Sequence, residues 1–358
     1  MAWACSEAKM KTTVIAFENR KDNACLFYER QIISALNSVA VYVDKTVVLS
    51  ADDEDGFALE IDRLQDVTVI LNKNLCSFDF SAATRGLTFD GDGFSVGKPF
   101  VSVAPENTDG YAEKLLDKLR SVFDINVGKM TFKVFGVDTE EIKKATDKIT
   151  ADCQTVFFNV TSVDGDTKVD MFYGDRSPKM EVDKAVKSFI LEFKNNIYAE
   201  DDVTVAQRFY DLMKLRRLTC STAESMTGGK IASLIVEVDG ASDIFYEGMV
   251  TYSTLSKERR LNVSHKTIVD HTVVSSEVAY EMAVELLKNV DVAVTITGYA
   301  GSDVHPSEED GLCFIGIGVK DKIEVYRFKF GGKRVENIAR AAKTSLYLAL
   351  KTVENSEF

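Results

Sequence analysis

The nine residues from Thr222 to Lys230, TAESMTGGK, place a serine, two threonines and two glycines between apolar runs. Ser225 reads in two ways. A serine ahead of a helix commonly caps it, its hydroxyl accepting a free N–H of the first turn. Alternatively, Ser225 is an oxygen nucleophile. Thr227, Gly228 and Gly229 then let backbone N–H groups approach a ligand closely at a helix start, whose partial positive charge suits an oxyanion or a phosphate. The spacing is neither the GxSxG elbow nor the GxxxxGK[ST] phosphate loop.

A serine nucleophile needs a base. His265 and His271 fall outside the polar clusters, which gives a Ser-His-Asp triad little support. Lys257 follows the run GMVTYS, which ends with Tyr252 and Ser253. A lysine whose pKa is lowered by burial takes up a serine proton. The competing reading makes Lys257 one solvated charge of SKERR. A third polar cluster, TITGYAG, carries Thr297 and Gly298.

The elements that must position these clusters alternate between strand and helix. TTVIAF, TVVLS and DVTVILN read as strands, with helical patterns in ERQIISALNSV, GFALEIDRLQ and AEKLLDKLRSVF. Residues 80–98 show no clear period. From about 129 to 199 the pattern is βαββα, with a hairpin turn at DGD, which is a compact α+β module. After the acidic AEDDV a helix opens the last unit, in which LTCSTAE, GMVTYS, DVAVTITG, LCFIGIGV and IEVYRFKF are strands. GGKIASLIVEV, SSEVAYEMAVELLKNV and VENIARAAKTSLYLALKTV are its helices. The expectation is an α/β chain of three domains, 1–128, 129–199 and 200–358, the first and last layered on largely parallel sheets. Ligands on such sheets gather at the carboxyl ends of the strands. TAESMTGG, VTYSTLSK and TITGYAG each begin where a strand ends.

Composition bounds the function. A formal charge of −13 weighs against nucleic acid as the partner, because phosphate binding shows as a basic footprint. No apolar run approaches the roughly 18 residues of a membrane span, and the charged start MAWACSEAKMK argues against a signal peptide. The six cysteines, at 5, 25, 76, 153, 220 and 313, form no CxxC, which favours a reducing cytoplasm over a disulfide framework. The three histidines, His265, His271 and His305, have no metal-ligand spacing, so no metal centre is expected.

Taken in order, TAESMTGGKIAS, FYEGMVTYSTLSKERRLNV, VVSSEVA, TITGYAG, GLCFIGIGV and FGGKRVENIARAA resemble the successive blocks of the CinA C-terminal domain. The usual forms of those blocks are AESCTGG, VTYSNEAK, VSEEVA, TGIAGP, VGTVYIG and GDRxxIRxxA. The resemblance implies an α/β/α domain with nicotinamide mononucleotide deamidase activity, which hydrolyses the carboxamide to nicotinate mononucleotide and ammonia without a cofactor. It implies Ser225 as nucleophile, Tyr252 and Lys257 as the family's tyrosine and lysine, and Thr297, before Gly298, as an oxyanion or substrate contact. The phosphate-binding arginine falls on Arg334 or Arg340. A cytoplasmic homodimer or larger homo-oligomer acting on a small pyridine nucleotide is the implied setting.

Upstream, TTVIAF sits where full-length CinA proteins begin a MoaB-like domain associated with metal-dependent ADP-ribose pyrophosphatase activity. ENRKDN and LNKNLCSFDF stand in place of its glycine-rich signatures, so the fold is expected to be retained and the pyrophosphatase activity lost. Two further departures are Met226, in place of a small Cys, and SDVHPSEEDG at 302–311, in place of a glycine-rich loop. The competing functional reading is a non-catalytic nucleotide-binding or assembly protein on the same scaffold.

Overall fold

Runs of Val, Ile, Thr and Phe build three separate sheets in the computed structural model, which describes residues 11–18, 33, 43–71, 73–96, 99–105, 110–123, 127–174, 177–301 and 307–357. The expected helix ERQIISALNSV apart from Ile33, the turn ENRKDN after Glu18, and residues 302–306 lie outside the described residues.

Strands β1 (Thr12–Glu18), β2 (Lys45–Ser50), β3 (Val67–Leu71) and β4 (Phe100–Val103) form a sheet of order β2-β1-β3-β4, parallel throughout. All of β3 is buried, as a central strand between two helical layers requires. Phe57 and Ile61 of α1 (Glu54–Ile61) pack on one face, and Tyr111, Leu115 and Leu119 of α3 (Tyr111–Phe123) on the other. Where LNKNLCSFDF replaces a glycine-rich phosphate loop, Lys73–Leu75 forms a single 3-10 turn. The carboxylate of Asp79 then accepts the N–H groups of Ser81 and Ala82 at the start of α2 (Phe80–Ala83).

The middle segment runs β5 (Val127–Phe135), α4 (Thr139–Asp152), β6 (Val156–Val163), β7 (Asp166–Gly174) and α5 (Lys179–Phe193), the expected βαββα. Asp164 and Gly165 both adopt positive φ, which turns the β6–β7 hairpin with the right twist. β8 (Ile197–Ala199) completes a sheet of order β6-β7-β5-β8. Three residues are too few for a periodicity to show. By compactness the chain divides into two units, 1–131 with 142–160 and 169–192, and 132–141 with 161–168 and 193–358, so the middle segment contributes to both.

The last sheet has the order β10-β9-β11-β12-β13, from β9 (Cys220–Glu224), β10 (Phe245–Val250), β11 (Val292–Gly298), β12 (Leu312–Val319) and β13 (Lys322–Lys329). β10, β9 and β11 are parallel, and β12 and β13 continue antiparallel. Strand alternation divides the core. Val292, Val294 and Ile296 face α6 (Val205–Arg216), α7 (Lys230–Val236) and α11 (Arg334–Asn355), whereas Ala293 and Ala223 face α10 (Ser276–Leu286) and Leu261. This is an α/β/α sandwich. Two short helices, α8 (Thr254–Leu261) and α9 (His265–His271), lie in TLSKERRL and HKTIVDH, which had no helical reading. β10 ends at Val250, so Thr251, Tyr252 and Ser253 lie beyond it. Among the described residues no helix is long and apolar enough to cross a membrane.

Candidate active site

The site is assembled at the carboxyl ends of β9, β10 and β11, where a parallel sheet leaves a crevice. β9 stops at Glu224 and the chain turns through Ser225 to Gly228, whose N–H donates to the Ser225 carbonyl at 3.1 Å. Gly228 and Gly229 follow at φ +62° and +98°. Two successive left-handed residues are readily adopted only by glycine. The side chain of Glu224 folds back over this turn and accepts the N–H groups of Gly229 and Ile231 at 3.0 Å each and of Ala232 at 2.8 Å. α7 is therefore capped by the last residue of the preceding strand, and Ser225 does not act as its cap.

The candidate base, Lys257, arrives from α8. Ser253 Oγ accepts the Ser256 N–H at 3.2 Å and starts the helix, placing Lys257 and Leu261, four residues apart, on its buried side. Lys257 is 1% exposed. Its Nζ lies 2.9 Å from Ser225 Oγ and 2.7 Å from the Thr251 carbonyl. Burial pushes its pKa down from 10.5 to about 8, which leaves an appreciable neutral fraction near physiological pH. Of the two readings of Lys257, the solvated one is excluded.

A cavity of about 350 Å³ opens on this pair, within the range of small-ligand sites. Ser225, Met226, Lys257, Thr297, Gly298 and Arg334 all line it, together with Tyr252, Val273, Tyr299 and Asp310. Ser225 and Lys257 are buried, whereas Tyr252 and Arg334 are exposed, so the cavity has a buried end with the serine–lysine pair and an exposed rim with the Arg334 guanidinium. The Arg334 guanidinium donates to the Gly301 carbonyl at 2.8 Å and to the Tyr252 hydroxyl at 3.2 Å. Arg340 does not line the cavity, and it donates to the Gly331 carbonyl at 2.9 Å.

Several expected contacts are arranged differently. The N–H groups of Gly228 and Gly229 are consumed by Ser225 O and Glu224, so neither is a free oxyanion donor. Thr227 does not line the cavity. The Met226 and Thr227 N–H groups have no hydrogen-bond partner among the described residues. Thr297 is fully buried and its hydroxyl donates to the Val273 carbonyl at 2.9 Å, which makes it a wall-fixing residue. Gly298 is there for space, since a Cβ would stand 2.5 Å from Met226 Sδ and from Cys313 Cβ. Tyr252 holds Arg334 and makes no hydrogen bond to Ser225 or Lys257 among the described residues. His265 and His271 pair with Glu258 and Glu277 outside the cavity.

Two participants were missed in the sequence. Thr251 contributes a main-chain carbonyl, for which no residue type gives a signal. Glu224 stood inside the very stretch TAESMTGGK, and a carboxylate at a strand end five residues before a glycine-started helix was the available clue.

Residues 202–353 match the CinA C-terminal domain family. The chain is 38% identical over 176 residues to a CinA-like protein of Fusobacterium nucleatum, covering 48% of this chain and 43% of the relative. It is 36% identical over 168 residues to a CinA-like protein of Kosmotoga olearia, covering 46% of this chain and 40% of the relative. The match thus spans less than half the length of these relatives. Among solved structures, a competence-damaged protein (CinA) superfamily protein from Enterobacter cloacae is similar at 29% identity and a TM-score of 0.40, over 44% of this chain and 97% of that one.

Proposed function

Because residues 202–353 form a CinA C-terminal domain, we propose that this chain is a serine amidohydrolase that converts nicotinamide mononucleotide and water to nicotinate mononucleotide and ammonia. The observation that carries this reading is the buried Lys257 Nζ on Ser225 Oγ at 2.9 Å. Neutral Lys257 takes the Ser225 hydroxyl proton as Oγ bonds to the carboxamide carbon. Negative charge moves to the carboxamide oxygen, toward the Met226 N–H, the residue after the nucleophile being a common donor. Collapse breaks the C–N bond, and Lys257 returns the proton to the departing ammonia. Water then attacks the acyl-enzyme and gives a proton to Lys257, which passes it to Ser225 Oγ as the acyl C–O bond breaks, and the carboxylic acid product loses its own proton to solvent. The phosphate of the substrate sits at the exposed rim on Arg334, where a guanidinium suits phosphate oxygens.

Ammonia release from nicotinamide mononucleotide, measured for wild type and for Ser225→Ala, tests the proposal. Wild type should turn over and the folded variant should not. Equal release by both removes Ser225 from the reaction.

A further inference from the structure

Glu224 is a buried carboxylate beside the nucleophile to which this reaction assigns no step; it is 1% exposed. A cap on α7 is ordinarily supplied by a Ser, Thr, Asp or Asn at the residue just before the helix. That residue is Gly229, which has no side chain. The acceptor comes instead from the far side of the nucleophile turn. Residues 225–228 are enclosed between the Glu224 backbone and the N–H groups of Gly229, Ile231 and Ala232 that its carboxylate collects. Hydrogen bonds to a carboxylate are roughly twice as strong as neutral ones, so this closure fixes the turn firmly.

The backbone of the same residue reaches the base. The Glu224 carbonyl accepts the Thr251 N–H at 2.8 Å, and the Thr251 carbonyl in turn accepts Lys257 Nζ at 2.7 Å. The side chain ties down the nucleophile while the main chain ties down the strand end that holds its base. With the N–H groups of Gly228 and Gly229 used inside the turn, and Thr227 outside the cavity lining, the Met226 N–H remains for a ligand oxygen.

We infer that Glu224 is the positioning residue of the nucleophile turn, closing residues 225–228 so that Ser225 Oγ meets Lys257 Nζ and the Met226 N–H stays free for the oxyanion. This rests on the amidohydrolase reading, and the test separates the two. Glu224→Gln keeps the shape but turns an amide NH2 toward backbone donors. Glu224→Asp keeps the charge and loses one methylene of reach. In the full chain, kcat and KM for nicotinamide mononucleotide, the rate of Ser225 labelling by a small fluorophosphonate, and the thermal midpoint are measured for each.

The Gln variant should stay folded and lose about 10²-fold or more in kcat, the size of losing an oxyanion donor. Its KM should be little changed, and its labelling rate should fall in step with kcat. The Asp variant should lie between it and wild type. A folded Gln variant with kcat and labelling close to wild type overturns the inference, as does a rise in KM alone. Failure of both variants to fold reduces Glu224 to a structural cap and also overturns it. If wild type labels at Ser225 but releases no ammonia from the mononucleotide, the substrate reading fails and the labelling ratio still decides on Glu224. A wild type that neither labels nor turns over sinks both.

Discussion

Lys257 Nζ and Ser225 Oγ stand 2.9 Å apart, although 32 positions separate them in the chain. The pairing of β9 with β10 brings them together, because the Thr251 N–H beyond β10 donates to Glu224 beside Ser225. The helix that starts at Ser253 then returns Lys257 over that junction. The ammonium is thereby taken out of water, and the resulting loss of basicity suits it to accept a serine proton.

Only the neutral amine accepts that proton, so kcat should rise with pH through about 8 and level off above it. Lys257→Met should lower kcat on the order of 10²–10⁴-fold and abolish that limb. Initial rates of ammonia release across the pH range check both points. A Met variant that changes KM alone and keeps the wild-type profile would move the lysine from base to ligand contact.

The same burial predicts an effect on stability. The folded pKa of about 8 lies below the ordinary 10.5, so between these values the unfolded chain binds a proton that the folded one has released. Stability therefore rises with pH across that window and is lowest below it. Removing the buried charge with Lys257→Met should stabilise the fold near neutral pH by on the order of 3 kcal/mol, the gap between the two pKa values converted to energy. Denaturant unfolding measures this. A destabilised Met variant contradicts burial as the cause of the shift.

At the rim, Arg334→Met should raise KM roughly 10–100-fold with kcat largely kept, as expected for a charged hydrogen bond of about 1.5–3 kcal/mol made equally in ground and transition states. Arg340→Met, outside the cavity, should leave KM near wild type. Tyr252→Phe removes only a partner of Arg334 and should spare kcat. A collapse of kcat in Tyr252→Phe would restore the tyrosine to the chemistry.

Gly298→Ala should destabilise the chain by about 1–3 kcal/mol through overpacking. Met226→Ala should not rescue it, because Cys313 Cβ at 2.5 Å and the Leu312 carbonyl at 2.7 Å would still meet the new methyl. Thermal midpoints of the single and double variants decide this. Full rescue would show that Met226 alone demands the glycine.

The full chain should not hydrolyse ADP-ribose with magnesium, manganese, cobalt or nickel. After β3 the chain makes a 3-10 turn at Lys73–Leu75, and the start of α2 is already occupied by Asp79. Turnover well above a blank with any of these ions would show that a glycine-rich loop is dispensable.

Residue types and their spacing were enough to place β9, β11 and β12 and the long helix α11, because buried strands and amphipathic helices carry periods that survive without a partner. They also brought Ser225 and Lys257 to notice, since each follows the end of a strand, whereas Thr297 and Arg334 took their roles only from the resemblance to the CinA blocks. Periodicity could not show α8 or β8, whose few residues span too short a window. Nor could it distinguish a solvated Lys257 from a buried one, because the charge run SKERR looks the same in either case. Burial is a property of what packs over a residue, and Leu261 on the same helix face had to meet the core before Lys257 lost its water. Hydrogen bonding was equally hidden. Thr227, Gly228 and Gly229 offered the right groups for an oxyanion, but each main-chain N–H has one proton to give, and the carboxylate of Glu224 and the turn itself had already taken two of them.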